Sequence, residues 1–126
     1  KAYTIPAAQG SSSTGIFSIA FLDTQRGIAV GGDYKQDTAR KGNCLLTANG
    51  GRSWYAPITP PGGYRSCVAY ITPQLLIATG TSGTDISEDG GKNWQKAGDG
   101  FNVAAKARKG NMVYLAGKDI AVLIRR

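Results

Sequence analysis

Glu88 and Asp89 stand side by side in a turn-forming stretch, and adjacent carboxylates are the first place to look for acid–base hydrolysis. Neighbours on an extended chain project to opposite faces, so this pair does not read as a catalytic dyad around one bond. The sequence contains no histidine, which removes Ser-His-Asp and Cys-His centres and every His-ligated zinc site built from this chain alone. Cys44 and Cys67 lack the CxxC spacing of a redox or metal motif. They sit among apolar, β-prone neighbours and read as two small buried thiols, with a single disulfide as the alternative. Nothing here calls for a cofactor or a metal. Recognition chemistry is better represented. The stretch Asp33-Tyr34-Lys35-Gln36-Asp37-Thr38-Ala39-Arg40-Lys41-Gly42-Asn43 gathers an aromatic ring, three cations and two carboxylates, a mixture suited to a polar or anionic partner.

An internal repeat must position these residues. Two octets correspond, Thr47-Ala48-Asn49-Gly50-Gly51-Arg52-Ser53-Trp54 and Ser87-Glu88-Asp89-Gly90-Gly91-Lys92-Asn93-Trp94, offset by 40 residues (94 − 54). Upstream of each lies an apolar run ending in glycine, at Gly31 and at Gly80, and these are 49 apart (80 − 31). The difference places an insertion of 9 residues (49 − 40) within 33–43 of the first copy. A third apolar run, Met112-Val113-Tyr114-Leu115-Ala116-Gly117, continues into Asp119-Ile120-Ala121-Val122-Leu123-Ile124 without an octet. The unit is about 40 residues long, with two complete copies and a truncated third, as repeat architectures require.

Each unit reads as four short strands. The first copy predicts strands over 16–22, 27–32, 44–47 and 53–58, and the second over 65–71, 75–79, 84–87 and 93–96. The third predicts 102–107, 112–116 and 120–124. Alternation marks the first strand of each copy, and near-continuous apolar runs mark the second, as in strands buried on both faces. Turn signals separate them, no helical period is sustained, and the chain reads as all-β. Its 126 residues fit one domain or a piece of a larger one. Hydrophobic residues at 41% and charged residues at 18% belong to a globular chain. The 18 glycines follow no collagen period, and no apolar run nears the roughly 20 residues of a membrane helix. The sequence starts at Lys1 with no initiator Met, so it reads as a mature chain or an excised piece.

Every octet position has a mechanical use. Asn49-Gly50-Gly51 and Asp89-Gly90-Gly91 are turn signals, because glycine supplies positive φ without strain. Asn49 or Asp89 can accept hydrogen bonds from turn amides, and Thr47 or Ser87 can brace the same loop. Gly51 and Gly91 close the turn, and Trp54 and Trp94 open the next strand with a ring large enough to bury against a neighbouring sheet. On these residues the octets resemble the Asp-box, or BNR repeat, of sialidase-like β-propellers. With the run from Ile19 to Gly31 added, the whole unit is similar to the photosystem II stability/assembly factor-like (YCF48-like) propellers. The second octet matches fully, and the first has Asn49 where Asp is usual.

The resemblance implies β-propeller blades of four antiparallel strands, about three per chain, completed by a second copy into a six-bladed dimer or belonging to a larger propeller. The divisions would be 1–14 as an outer strand and linker, 15–60 as a blade with insertion 33–43, 61–100 as a blade, and 101–126 as three strands of the last. It puts the octets on the face away from the ligand site, and both tryptophans between blades. The ligand rim would collect the loops 9–15, 33–43, 59–64 and 97–101, with Tyr34, Lys35, Arg40, Lys41, Tyr64 and Arg65 as candidate contacts. A sialidase would need three convergent arginines, a tyrosine nucleophile and an Arg-Ile-Pro motif. Here Thr4 precedes Ile5-Pro6 and the arginines recur at no equivalent position, so a non-catalytic binding or assembly scaffold for a protein or glycan is expected, with a glycoside hydrolase as the alternative. The family resemblance also favours export. Six cations lie in the last copy (Lys106, Arg108, Lys109, Lys118, Arg125, Arg126). No nucleic-acid motif accompanies them, so they read as a solubilising surface rather than a specific nucleic-acid site.

Overall fold

The computed structural model describes residues 14–101, 103–106, 112–116 and 120–124. Among the described residues ten strands form three antiparallel sheets in chain order: β1 (Thr14–Phe21), β2 (Gly27–Asp33), β3 (Cys44–Thr47), β4 (Cys67–Tyr70), β5 (Leu76–Gly80), β6 (Gly83–Ser87), β7 (Gln95–Gly98), β8 (Val103–Lys106), β9 (Met112–Ala116) and β10 (Ile120–Ile124). Each sheet is a meander, ordered β1-β2-β3, β4-β5-β6-β7 and β8-β9-β10. The first strands of the three sheets lie next to one another, so the sheets are arrayed around a common inner side. The outer strand expected within 1–14 falls on residues 1–13, outside the described residues.

The repeat is a register as well as a pattern. Ser18 pairs with Val30 and Cys67 with Thr79, both members shifted by 49 residues. Alternation along β1 leaves Phe17, Ile19 and Phe21 exposed on one face. From the second face, Ile28, Val30, Cys44 and Leu46 bury against Val68, Leu76, Ala78 and Trp94 of the second sheet. That sheet's far face, carrying Ile77 and Ile86 with Cys67 and Ala69 at its margin, buries against Ala104, Val113 and Leu115 of the third. β2 and β5 are buried along almost their whole length; each is central in its sheet, and β5 is covered on both faces. The register also predicts where polar atoms cross between sheets. The Val68 amide donates to Ser18 Oγ (3.2 Å), and its counterpart Cys67 donates through Sγ to the Ala104 carbonyl (3.4 Å).

Two expectations change. The fourth strand of the first copy, expected over 53–58, shrinks to a single bridge between Leu46 and Tyr55. Pro57 and, just beyond, Pro60 and Pro61 lack the amide that a ladder needs, and the chain crosses instead to the second sheet. There the Ile58 and Thr59 amides donate to the Lys92 carbonyl. The tryptophans also differ. Trp94 is 5% exposed inside the first interface, but Trp54 is only half-buried, edge-on to Phe21 at 6.3 Å, on the face of the first sheet that no described strand covers. Both cysteines are free thiols. Burial pushes the Cys44 thiol up to about 12, so it is an inert core residue.

Candidate functional site

Pairing Thr14 with Asp33 and Phe21 with Gly27 sets the two ends of the first sheet apart, and Gly27 in turn pairs with Thr47. The octet that follows Thr47 therefore lies at one end, and the insertion between β2 and β3 at the other. At the octet end two loops close in the same way. Thr47 Oγ1 and Ser87 Oγ each accept from the glycine amide four residues on, Gly51 or Gly91, at 2.9 Å. Asn49 Oδ1 and Asp89 Oδ1 accept from the amides of Ser53 (3.0 Å) and Asn93 (2.9 Å). The indole N–H of Trp54 and of Trp94 donates to the Gly51 and Gly91 carbonyls. Gly50, Gly51, Gly90 and Gly91 have φ of 73°, 91°, 77° and 97°, the left-handed region that favours glycine. Burial pushes the Asp89 carboxyl up, but hydrogen bonds from Asn93, Ser87 and the backbone outweigh it and hold the group below its ordinary 3.8. Its oxygens are thus engaged as acceptors, while Glu88 accepts from Gln95. The two carboxylates are not brought together on one site.

A cleft of about 340 Å³ lies between the octet ends of the first two sheets, bordered by Arg26, Tyr55, Tyr70, Asp89 and Lys92. Arg26 is bound within its own turn to Asp23 at 3.1 Å. The Asp23 carboxyl is lowered chiefly by the amides of Arg26 and Gln25. This cleft presents no paired acid and base.

At the opposite rim the insertion is tied down along its length. The Tyr64 amide donates to the Asp37 carbonyl (2.9 Å), as does the Ser82 hydroxyl. Thr81 Oγ1 donates to Asp37 Oδ2 (2.8 Å). Arg40 donates to the carbonyls of Pro61 (3.2 Å) and Pro60 (2.7 Å), and Asn43 Nδ2 to those of Pro61 and Gly63. The loop of the first sheet is thus bound to the leading edge of the second. Tyr34, Lys35 and Lys41 remain exposed on it.

The six rim candidates separate by role. Arg65 lies at the rim but is 1% exposed, its guanidinium turned inward to Asp85 at 2.6 and 2.8 Å, the Tyr64 carbonyl and Ser82 Oγ. Arg40 is spent on proline carbonyls. Tyr64 is buried, and its ring is met edge-on by Phe17 (5.2 Å) and Tyr34 (6.2 Å), which also meet each other at 6.1 Å. Sequence reasoning named neither Phe17 nor Asp85. An aspartate between Thr84 and Ile86 in a strand pattern is the signal for the second, since a buried charge needs a partner. Alternation puts Phe17 on one face of β1 with Ile19 and Phe21, but its meeting with Tyr34 and Tyr64 joins three elements far apart in sequence. Among the described residues no group of three or more His, Cys, Asp and Glu could hold a metal, and no helix is long and apolar enough to cross a membrane.

No family model and no curated protein matches the sequence. Among solved structures the chain is similar to YCF48 bound to D1 peptide, with a TM-score of 0.62 at 17% sequence identity, over 94% of this chain and 42% of that one. The likeness shows the fold, a segment of an all-β propeller whose sheets are its blades. The chain spans less than half the length of the protein it matches.

Proposed function

We propose that this chain is a non-catalytic binding segment of a propeller, an assembly scaffold that recognises a polar protein partner through its rim loops. The observation that carries the reading is the insertion at 33–43. Its backbone is tied to the second blade through Asp37, Arg40 and Asn43, so little backbone entropy of the loop remains to be lost on binding. Fold supports a protein partner over a glycan, because YCF48 was solved with a peptide bound. Against a sialidase-like hydrolase speak the arginines: Arg26, Arg40 and Arg65 each serve a different local partner. In this reading the octets are Asp-boxes that pin turns and touch no ligand. The test is capture of partners on immobilised chain, compared with a Lys35→Glu, Lys41→Glu double variant. Loss of capture by the variant supports the reading. Equal capture by both, or enzyme-like turnover of a fluorogenic sialoside, contradicts it.

A second proposal, that two copies close one ring, rests on the open flanks. In the repeat register Ile19 and Phe21 correspond to Val68 and Tyr70, which pack into the first interface, yet they are 49% and 46% exposed. On the last blade Tyr114 is exposed at the position of Ile77. The chain carries both halves of an interface that it forms twice internally. Two copies supply six blades, within the 4–8 typical of closed propellers, and the rival is further blades of a longer chain.

A further inference from the structure

The bulge in β1 sets a phenylalanine where the next copy has no ring. Phe17 is the extra residue between Ile16 and Ser18, and its counterpart 49 positions on is Ser66. Three elements meet around it: β1 supplies Phe17, the insertion Tyr34, and the segment entering the second blade Tyr64. Tyr64 is 8% exposed and forms the base, while Phe17 and Tyr34 stand 45% and 46% exposed above it. The Phe17 plane crosses Tyr34 at 85° and Tyr64 at 87°, and Tyr34 meets Tyr64 at 66°. Crossed rings present edges beside faces, which suits edge-to-face packing by a further aromatic or apolar side chain, whereas a sugar stacks on a flat ring face. Aromatic residues are enriched among the contacts that dominate binding energy.

The insertion loop carries three cations against two carboxylates, and its exposed charges are the cations. Asp33 caps the Lys35 amide, and Asp37 accepts from Thr81. Arg40 faces proline carbonyls, and Arg65 is buried on Asp85. Lys35, beside Tyr34, and Lys41, near the end of the same loop, are exposed. Their charge complements carboxylates on a partner.

Resting on the rim-binding reading, we propose that Phe17 and Tyr34, standing on Tyr64, form a notch for one aromatic or large aliphatic side chain of an acidic peptide, whose flanking carboxylates meet Lys35 and Lys41. The tyrosine beneath keeps the notch shape fixed, because its amide donates to the Asp37 carbonyl and its carbonyl accepts from Arg65. Binding then requires little rearrangement.

A random dodecapeptide display library selected on the intact chain tests this, with the enriched peptides synthesised and titrated by fluorescence anisotropy. The expected peptides carry Phe, Tyr, Trp or Leu with Asp or Glu within a few positions. Phe17→Ala and Tyr34→Ala should each weaken them roughly tenfold or more while the chain stays folded at the assay temperature, and Tyr34→Phe should retain binding. Lys35→Gln with Lys41→Gln should weaken binding and reduce its salt dependence. Enriched peptides that are neutral or basic, or that bind Tyr34→Ala as well as wild type, overturn the notch. If such peptides still depend on Lys35 and Lys41, the rim reading survives without it. Enrichment insensitive to every rim substitution, or no enrichment, overturns both.

Discussion

At the scale of single residues, the two octets form a natural comparison, because their loops share a geometry and differ in charge. Asp89 accepts through both oxygens, from Ser87 Oγ, the Asn93 amide and Asn93 Nδ2, whereas Asn49 accepts through one oxygen and donates through Nδ2 to Ser53. Hydrogen bonds to an ionised acceptor are roughly twice as strong as neutral ones. Asp89→Ala should therefore cost more than Asn49→Ala, about 1–2 kcal/mol. The Asp89 carboxyl titrates below its ordinary value in the fold, so its contribution is complete above the unfolded value and is lost as pH falls through the folded one. The drop in urea midpoint between pH 6 and pH 3 should be smaller in Asp89→Asn than in wild type, and equal drops would contradict the assignment. The tryptophans give a second contrast. Trp94→Ala empties a site enclosed by two sheets and should cost about 3–5 kcal/mol. Trp54→Ala removes a half-buried ring and should cost clearly less. Equal midpoint shifts in urea would mean that both rings are enclosed alike.

At the scale of elements, the insertion behaves as part of the second blade. Gly63 passes so close to Asp37 that a Cβ would overlap its carbonyl. Gly63→Ala should therefore lift the insertion off the blade, and hydrogen exchange at the Tyr64 amide, which donates to that carbonyl, should speed up by an order of magnitude or more. Unchanged exchange would mean that the loop is not fixed at this point. How much of this was legible in the sequence follows from the range of each interaction. The octet turns were legible because glycine pairs and their acceptors act within a few residues. So was the 49-residue register of the inner strands, which apolar runs ending in Gly31 and Gly80 announce. The shortened fourth strand was written in Pro57, Pro60 and Pro61, but the turn pattern before them masked it. The inward turn of Arg65 was not legible, because its partner Asp85 lies 20 residues on and meets it only when the blade forms. The same holds for the notch: Phe17, Tyr34 and Tyr64 come from three elements that meet only in the folded chain.

At the scale of the whole molecule, two faces have different duties, and the flanks have a third. The flanks predict association: light scattering at micromolar concentration should give twice 13.2 kDa, and Ile19→Lys or Tyr114→Glu should each reduce it to the monomer. Mixing the two variants should restore one interface and with it a dimer. A stable, folded monomer of the wild-type chain would refute self-closure and leave further blades of a longer chain as the cover. The central claim, however, concerns the rim, where the insertion is ordered, aromatic and cationic, opposite an end whose polar groups are consumed by turns. Its most direct measurement replaces one exposed residue at a time with a photo-reactive amino acid, at Gln36 on the rim and at Arg52 on the octet end, and maps what each captures from native extract. The account predicts a discrete protein adduct from position 36, competed by unlabelled chain, and none from position 52. Capture of the same partner from position 52 and not from position 36 would contradict it.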